Sequence, residues 1–191
     1  TALAVDRLAP REARRLAVIG AGAVALAHIR HAAPLRAWES IRVFSPSLAG
    51  DAARAEQVRA TDARVSVESS AQACVADADV IMLCTSSGKP VLALDTLTKP
   101  ALITSISTNV AQAHEIDPAA LPTPHSAGEM TIAAREHGWS PDAIVGDLAD
   151  LANDACPRPT YARHAFFRSI GLGLEDIAVA YALYAHLRAA R

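Results

Sequence analysis

The sequence predicts an α/β protein: a doubly wound parallel sheet flanked by helices, with a long C-terminal helix. Three observations lead there. Short apolar runs alternate with amphipathic stretches through the first half of the chain. Those runs are unbroken, which marks strands buried on both faces rather than half-exposed ones. The first run passes through a glycine-rich turn into a helical stretch, the connection from which parallel crossover sheets are built.

Residues 16–20 (LAVIG) read as the first strand and residues 23–33 as the first helix. Residues 41–45 (IRVFS) form the second strand. Residues 48–60 are Ala-rich with charges at helical spacing. A third strand covers residues 65–68 (VSVE), and a short helix follows over 70–76 with Ser70 as its N-cap. Residues 80–85 (VIMLCT) and 101–107 (ALITSIS) give the fourth and fifth strands. Beyond Asn109 the pattern loosens. Pro118, Pro122 and Pro124 crowd one stretch, residues 128–137 look helical, and 143–152 read as a strand and a helix start. Pro157 and Pro159 mark a loop. Residues 169–190 read as one long helix bearing Leu172, Ile177, Val179, Leu183 and Leu187.

Composition narrows the function. The chain has 191 residues, 51% of them apolar, enough for one good-sized core. Its net charge of -2 gives no electrostatic case for nucleic acid or an anionic membrane, and its 4% aromatics argue against base-stacking platforms. Cys74, Cys84 and Cys156 lack zinc spacing, and an odd count in an intracellular-looking chain reads as reduced thiols. Residues 1–15 have no signal-peptide character, and no apolar run reaches membrane-span length. The expectation is a cytoplasmic protein with no metal, nucleic-acid or membrane partner.

The chemistry-bearing motif is Gly20-Ala21-Gly22-Ala23-Val24-Ala25, a G-x-G-x-x-A between a strand and a helix. Gly20 permits the tight turn, Gly22 lets backbone amides approach a diphosphate, and Ala25 lets the helix pack closely on the sheet. The uncovered helix N-terminus favours an anion. This is the fingerprint of a Rossmann-type dinucleotide site, with the phosphates expected on Gly20, Gly22 and the backbone of Ala23 and Val24. A glycine turn without a ligand is the plainer alternative. An NAD site usually carries Asp or Glu at the end of the second strand. Here Ser45-Pro46-Ser47 stands there. No carboxylate repels a 2′-phosphate, and the hydroxyls of Ser45 and Ser47 can donate to one. The arginine that normally accompanies NADP does not follow immediately. The cofactor is therefore expected to be NAD or NADP, with NADP favoured, unless the segment is a simple turn.

Other constellations are weaker. His28 and His31 are spaced as a metal pair but have no third ligand. Ser87-Gly88-Lys89 has part of a P-loop pattern but lacks its upstream glycine and is followed by Pro90. His114 with Glu115 or Asp117 is a weak acid–base candidate, since adjacent helical residues do not face each other. Cys84 reads as a small buried hydrophobe. Glu175 and Asp176 complement the dipole of the last helix.

The stretches LAVIGAGAVALAHIRH, IRVFSPS, ADADVIMLCTSSGKPVL, STNVAQAHEIDP, SAGEM and FFRSIGLGLEDIAVA together resemble the ornithine cyclodeaminase/mu-crystallin family. The resemblance implies a Rossmann domain joined to a separate substrate and dimerisation domain. It divides the chain into a linker-helix remnant of that domain at 1–15, a dinucleotide-binding domain at 16–168 and a C-terminal helix at 169–191. It implies that Thr85, Ser86 and Ser87 border the cofactor, that Ser107 and Asn109 lie near the nicotinamide, and that Ser169 and Gly171 belong to the stretch covering its face. Ser169 is equally readable as the cap of the last helix.

Three departures accompany the likeness. The family's substrate domain lies before the first strand, where the sequence here opens at Thr1. A family strand expected between residues 118 and 123 is replaced by a short connection. Asn109, the candidate catalytic residue, falls where cyclodeaminases carry Asp, and an amide cannot take up a proton as a carboxylate can. The implied activity is therefore NAD(P)-dependent hydride transfer between nicotinamide and a cyclic imine or an α-imino or amino acid. Ornithine cyclodeamination and nucleotide binding without turnover are the alternatives. The expected partners are a small amino- or imino-acid substrate and further copies of the chain, in a homodimer or larger assembly that covers the apolar last helix.

Overall fold

A computed structural model describes residues 1–106, 115–117, 145–169 and 173–189. Its sheet contains Arg15–Ile19 (β1), Ser40–Phe44 (β2), Val65–Val67 (β3), Val80–Leu83 (β4), Leu102–Ile106 (β5) and Ala165–Ser169 (β6). The order is β3-β2-β1-β4-β5-β6, with every pairing parallel. The described helices are Ala2–Leu8 (α1), Ala23–Ala32 (α2), Ala52–Arg59 (α3), Ala71–Val75 (α4), Leu148–Ala152 (α5) and Gly173–Ala189 (α6). This is the doubly wound Rossmann arrangement, reversing direction between β1 and β4.

The apolar strands feed two cores. Leu16 and Val18 of β1, with Val80 and Met82 of β4, pack on one side together with Val5 and Leu8 of α1 and Ile29 of α2. The intervening Ala17, Ile19, Ile81 and Leu83 pack on the other side with Cys74 and Val75 of α4. Successive strand residues point to opposite faces, so an unbroken apolar run is what a sheet covered on both sides requires.

Local signals set most helix boundaries. Ser70 caps α4 through its hydroxyl, which accepts from the Ala73 amide. At 48–60 the single expected helix is two pieces: a 3-10 turn at Pro46–Leu48, then α3. Gly50 breaks the run at φ +83, and the Asp51 carboxylate caps the new start by accepting from the Arg54 amide. Of the stretch expected to begin as a strand at 143, the described residues 145–147 form no strand. Residues 145–147 lead into α5, which Asp147 and Asp150 close with a reciprocal capping box. The largest correction lies at the end. Residues 165–169 form a sixth strand beside β5, so the last helix does not include 169; its described part is Gly173–Ala189. Ser169 is thus a strand residue. The helix read at 128–137 lies outside the described residues. None of the described helices is long and apolar enough to cross a membrane.

α1 docks on the core through Ala4, Val5 and Leu8. The Arg36 guanidinium satisfies carbonyls at its C-terminal end, donating to Asp6 at 2.8 Å and Ala9 at 3.2 Å. The α6 helix behaves differently: Ile177, Leu183 and Leu187 are 67%, 58% and 57% exposed, an apolar surface with no cover among the described residues.

Asp79 stitches the lower edge of the sheet. Its carboxylate accepts from the Arg14 and Arg15 amides at 2.7 and 2.9 Å and pairs with Lys99. Burial alone would raise its pKa, but the Lys99 ammonium and the two amides outweigh burial and hold it below the usual carboxylate value. A depressed folded-state pKa stabilises the fold above the unfolded value of about 3.9, and that contribution is lost as pH falls through the folded value. Asp79→Asn is expected to cost about 1–2 kcal/mol at pH 7 in urea unfolding. The difference from the parent protein should shrink below about pH 4 as the parent's own carboxyl protonates.

Candidate functional site

A cleft of about 770 Å³ opens at the C-terminal ends of β1, β2 and β4. This is where the strand order reverses, the crevice in which open α/β sheets take their ligands, and the volume suits a cofactor or drug-sized molecule. Ile19, Phe44, Cys84, Val91 and Ile106 supply apolar wall. Polar groups come from three loops and one helix.

The loop after β1 contributes Gly20, Gly22, Ala23 and Val24. The two glycines differ in purpose. Gly20 sits at φ +121, and a Cβ there would overlap the Cys84 carbonyl. Its amide donates to the Phe44 carbonyl at 2.8 Å, so this glycine locks β1 to both neighbouring strands. Gly22 has ordinary φ, and a Cβ on it would meet nothing within 4 Å. Among the described residues, nothing in the packing demands a glycine there. It is the N-cap of α2 with no side-chain cap, leaving the first helical amides, including those of Ala23 and Val24, directed at the cleft.

The loop after β2 brings Ser45 and Ser47 to the cleft. Their hydroxyls lie 2.9 Å apart, and Ser45 caps the 3-10 turn. Arg54 of α3 lines the same wall, and its Nη2 donates to the Ala21 carbonyl at 3.2 Å. Sequence reading missed this residue because it looked for an arginine directly after the strand. The signal available was the cap at Asp51, which places Arg54 in the first turn of the next helix.

The loop after β4 contributes Thr85, Ser86 and Ser87. Its shape depends on Glu115, which is 2% exposed. The Glu115 carboxylate accepts from the Thr85 amide and hydroxyl and from the Ser105 hydroxyl, each at 2.7 Å. Thr85 Oγ1 in turn accepts from the Ser87 amide at 3.1 Å. Burial pulls the Arg168 guanidinium below its usual pKa, while the nearby Glu115 charge works the other way. The acid–base reading of Glu115 thus gives way to a buried fastening between β4, β5 and the cleft rim. Ser87-Gly88-Lys89 forms a local turn in which the Ser87 hydroxyl donates to the Lys89 carbonyl at 2.7 Å.

Cys84 is buried, and burial, with the Glu115 charge second, pushes its thiol up to about 12. It is a protonated wall group at neutral pH. His28 Nδ1 lies 2.8 Å from the Val24 carbonyl of its own helix. Among the described residues no group of three or more His, Cys, Asp or Glu is placed to hold a metal. Ser169 ends β6 in register with Ile106, next to the cleft but not among its lining residues. Ser107, Asn109 and Gly171 lie outside the described residues.

Comparison with known proteins places this geometry in a family. The model of the ornithine cyclodeaminase/mu-crystallin family matches residues 1–191, and the chain belongs to that family. It is 53% identical over 195 residues to the NAD(P)H-dependent anabolic L-arginine dehydrogenase of Pseudomonas aeruginosa, covering 96% of this chain and 61% of that protein. The crystal structure of the iminosuccinate reductase of Paracoccus denitrificans in complex with NAD+ superposes with TM-score 0.80 at 27% identity, covering 95% of this chain and 59% of the other. The Δ1-pyrroline-2-carboxylate reductase of Thermococcus litoralis, in complex with NADH and L-proline, shares the fold with TM-score 0.81 at 21% identity, over 96% of this chain and 61% of that one. The chain therefore spans about three-fifths of the length of these relatives.

Removing Glu115 takes one acceptor from each of three donors in a dry site. Glu115→Ala is expected to lose roughly 3 kcal/mol of stability, and Glu115→Gln distinctly less, because the amide oxygen keeps part of the acceptor set. Thermal and urea unfolding of both variants check this.

Proposed function

We propose that this family member is an NAD(P)H-dependent oxidoreductase acting on a cyclic imine or an α-imino or amino acid. The observation that carries the reading is the cleft at the strand-order reversal, where an uncapped α2 and a glycine with open space above it face the same cavity. Those features fit a diphosphate, since the helix amides supply donors and partial positive charge and the missing Cβ leaves room for the anion. Gly20 and Gly22, with the amides of Ala23 and Val24, would hold the diphosphate. Ser45 and Ser47 would meet the adenine ribose, and Thr85, Ser86 and Ser87 would border the nicotinamide half. The absence of a carboxylate at Ser45-Pro46-Ser47 favours NADP over NAD. When bound, the nicotinamide supplies the hydride chemistry.

The protein's own part is placement. Glu115 holds the Thr85–Ser87 rim in one shape, so that groups lining the cleft meet a fixed partner. Ile19, Val91 and Ile106 would give the cofactor an apolar wall on one part of the cleft. The resemblance assigns Ser107, Asn109, Ser169 and Gly171 to the nicotinamide end, and assigns the grip on substrate to a separate domain of the kind the family carries. We take the protein to be cytoplasmic, in keeping with its three unpaired cysteines. We take it to be a homodimer or larger, because the exposed apolar residues of α6 call for a partner surface. The reductase and dehydrogenase names of the relatives support the reaction class.

The test is oxidation of NADPH or NADH by the full-length protein in the presence of cyclic imines, or of 2-oxo acids with ammonia. Saturable oxidation is expected. Ammonia release from ornithine with no net change in nicotinamide would instead mark a cyclodeaminase, and tight cofactor binding without turnover would mark a nucleotide carrier. A second outcome separates the glycines' roles. Gly22→Val should fold with little change in thermal midpoint, yet lose at least about tenfold in dinucleotide affinity by nicotinamide fluorescence, from crowding of the diphosphate.

A further inference from the structure

We infer that Arg54 reads the 2′-phosphate that distinguishes NADP(H) from NAD(H), an assignment that rests on the cleft being a dinucleotide site. A dinucleotide whose diphosphate rests on the α2 N-terminus sets its adenine ribose at the end of β2. Ser45, Ser47 and Arg54 all line the cleft that opens there. The arginine comes from α3, nine residues past Ser45 in sequence, and the fold carries its side chain back across the opening.

Its aim is fixed at both ends. The Arg54 amide is held by the Asp51 carboxylate at 2.9 Å, which roots the residue in the first turn of α3. At the tip, Nη2 donates to the Ala21 carbonyl at 3.2 Å. The guanidinium therefore spans from the ribose end toward the phosphate loop. That contact is with a neutral carbonyl and uses one of five donors. The neighbouring carboxylates are engaged elsewhere: Asp51 accepts from the Arg54 backbone and does not line the cleft, and Glu56 pairs with Arg59 at 3.5 Å. The cationic charge thus faces the cavity without a carboxylate against it among the described contacts.

The chemistry matches a phosphate monoester. A guanidinium presents a planar donor fork to phosphate oxygens, and charge-assisted bonds of this kind are about twice as strong as neutral ones. The Ser45 and Ser47 hydroxyls, 2.9 Å from each other, line the same cleft as further polar groups. A bare ribose hydroxyl would meet the same residues but engage the cation weakly. The discrimination is therefore built from attraction to the dianion, in the absence of the carboxylate that NAD sites use against it.

The test uses the full chain with Arg54→Gln and Arg54→Lys, titrated with NADPH and NADH by nicotinamide fluorescence, and with adenosine 2′,5′-bisphosphate and 5′-AMP as competitors. Arg54→Gln should weaken NADPH roughly tenfold to a hundredfold while changing NADH less than about twofold, and should abolish the advantage of the 2′,5′-bisphosphate over 5′-AMP. Arg54→Lys should recover part of the NADPH affinity, since it keeps charge but not the fork. Equal losses for both dinucleotides would assign Arg54 to the shared diphosphate and overturn the inference. Unchanged NADPH affinity in Arg54→Gln would overturn it as well. Failure of the parent protein to bind either dinucleotide is a separate result that removes the cofactor reading itself.

Discussion

The close approach of the first loop to the fourth strand is the constraint on which the rest of the molecule depends. At Gly20 the backbone runs so near the Cys84 carbonyl that no side chain fits, while its amide bonds to the end of β2. Three parallel strands are thereby brought to a common edge at the point where the crossovers diverge. The start of α2, the bend after β2 and the loop after β4 must all open at that edge. The cleft is therefore a product of the sheet's topology, and its polar groups are whatever the sequence places in the first residues beyond each strand.

Two buried or half-buried carboxylates brace opposite ends of this arrangement. Asp79 collects the Arg14 and Arg15 amides and Lys99 at the entry of β1 and β4. Glu115 collects Thr85 and Ser105 where β4 and β5 leave the sheet. Each satisfies backbone or hydroxyl donors that strand pairing leaves over, and each joins segments far apart in sequence. The sheet is closed by apolar packing on its faces and by ionic hydrogen bonding at its ends.

Much of this was legible in the residues, and the failures have identifiable causes. β1, β4 and most of β5 were readable because strands buried on both faces are apolar at successive positions, whereas β2 and β3 alternate as SIRVF and VSV and were readable from β-branched residues at period two. The glycine loop was readable because it sits between such a strand and a helix. β6 was not, because its apolar content is the short AFF of Ala165, Phe166 and Phe167, followed at once by Arg168. What makes it a strand is the free edge of β5, a tertiary fact. The break at Gly50 was visible in principle, since a glycine followed by Asp marks a turn and a cap. Glu115 was read through its sequence neighbour His114, whereas its partners lie 10 and 30 residues away. Arg54 was overlooked for the same reason: proximity along the chain stood in for proximity across a helix turn.

The state of Cys84 matters to whatever reacts in front of it. Under the proposed function the cleft would take imine carbons and a nicotinamide ring, electrophiles to which a thiolate would add, forming dead-end adducts. Sulfur attacks as the anion. Burial and the adjacent Glu115 charge keep the proton on this sulfur. The carboxylate that shapes the rim thus also favours the protonated, poorly nucleophilic form of a thiol in the cleft wall.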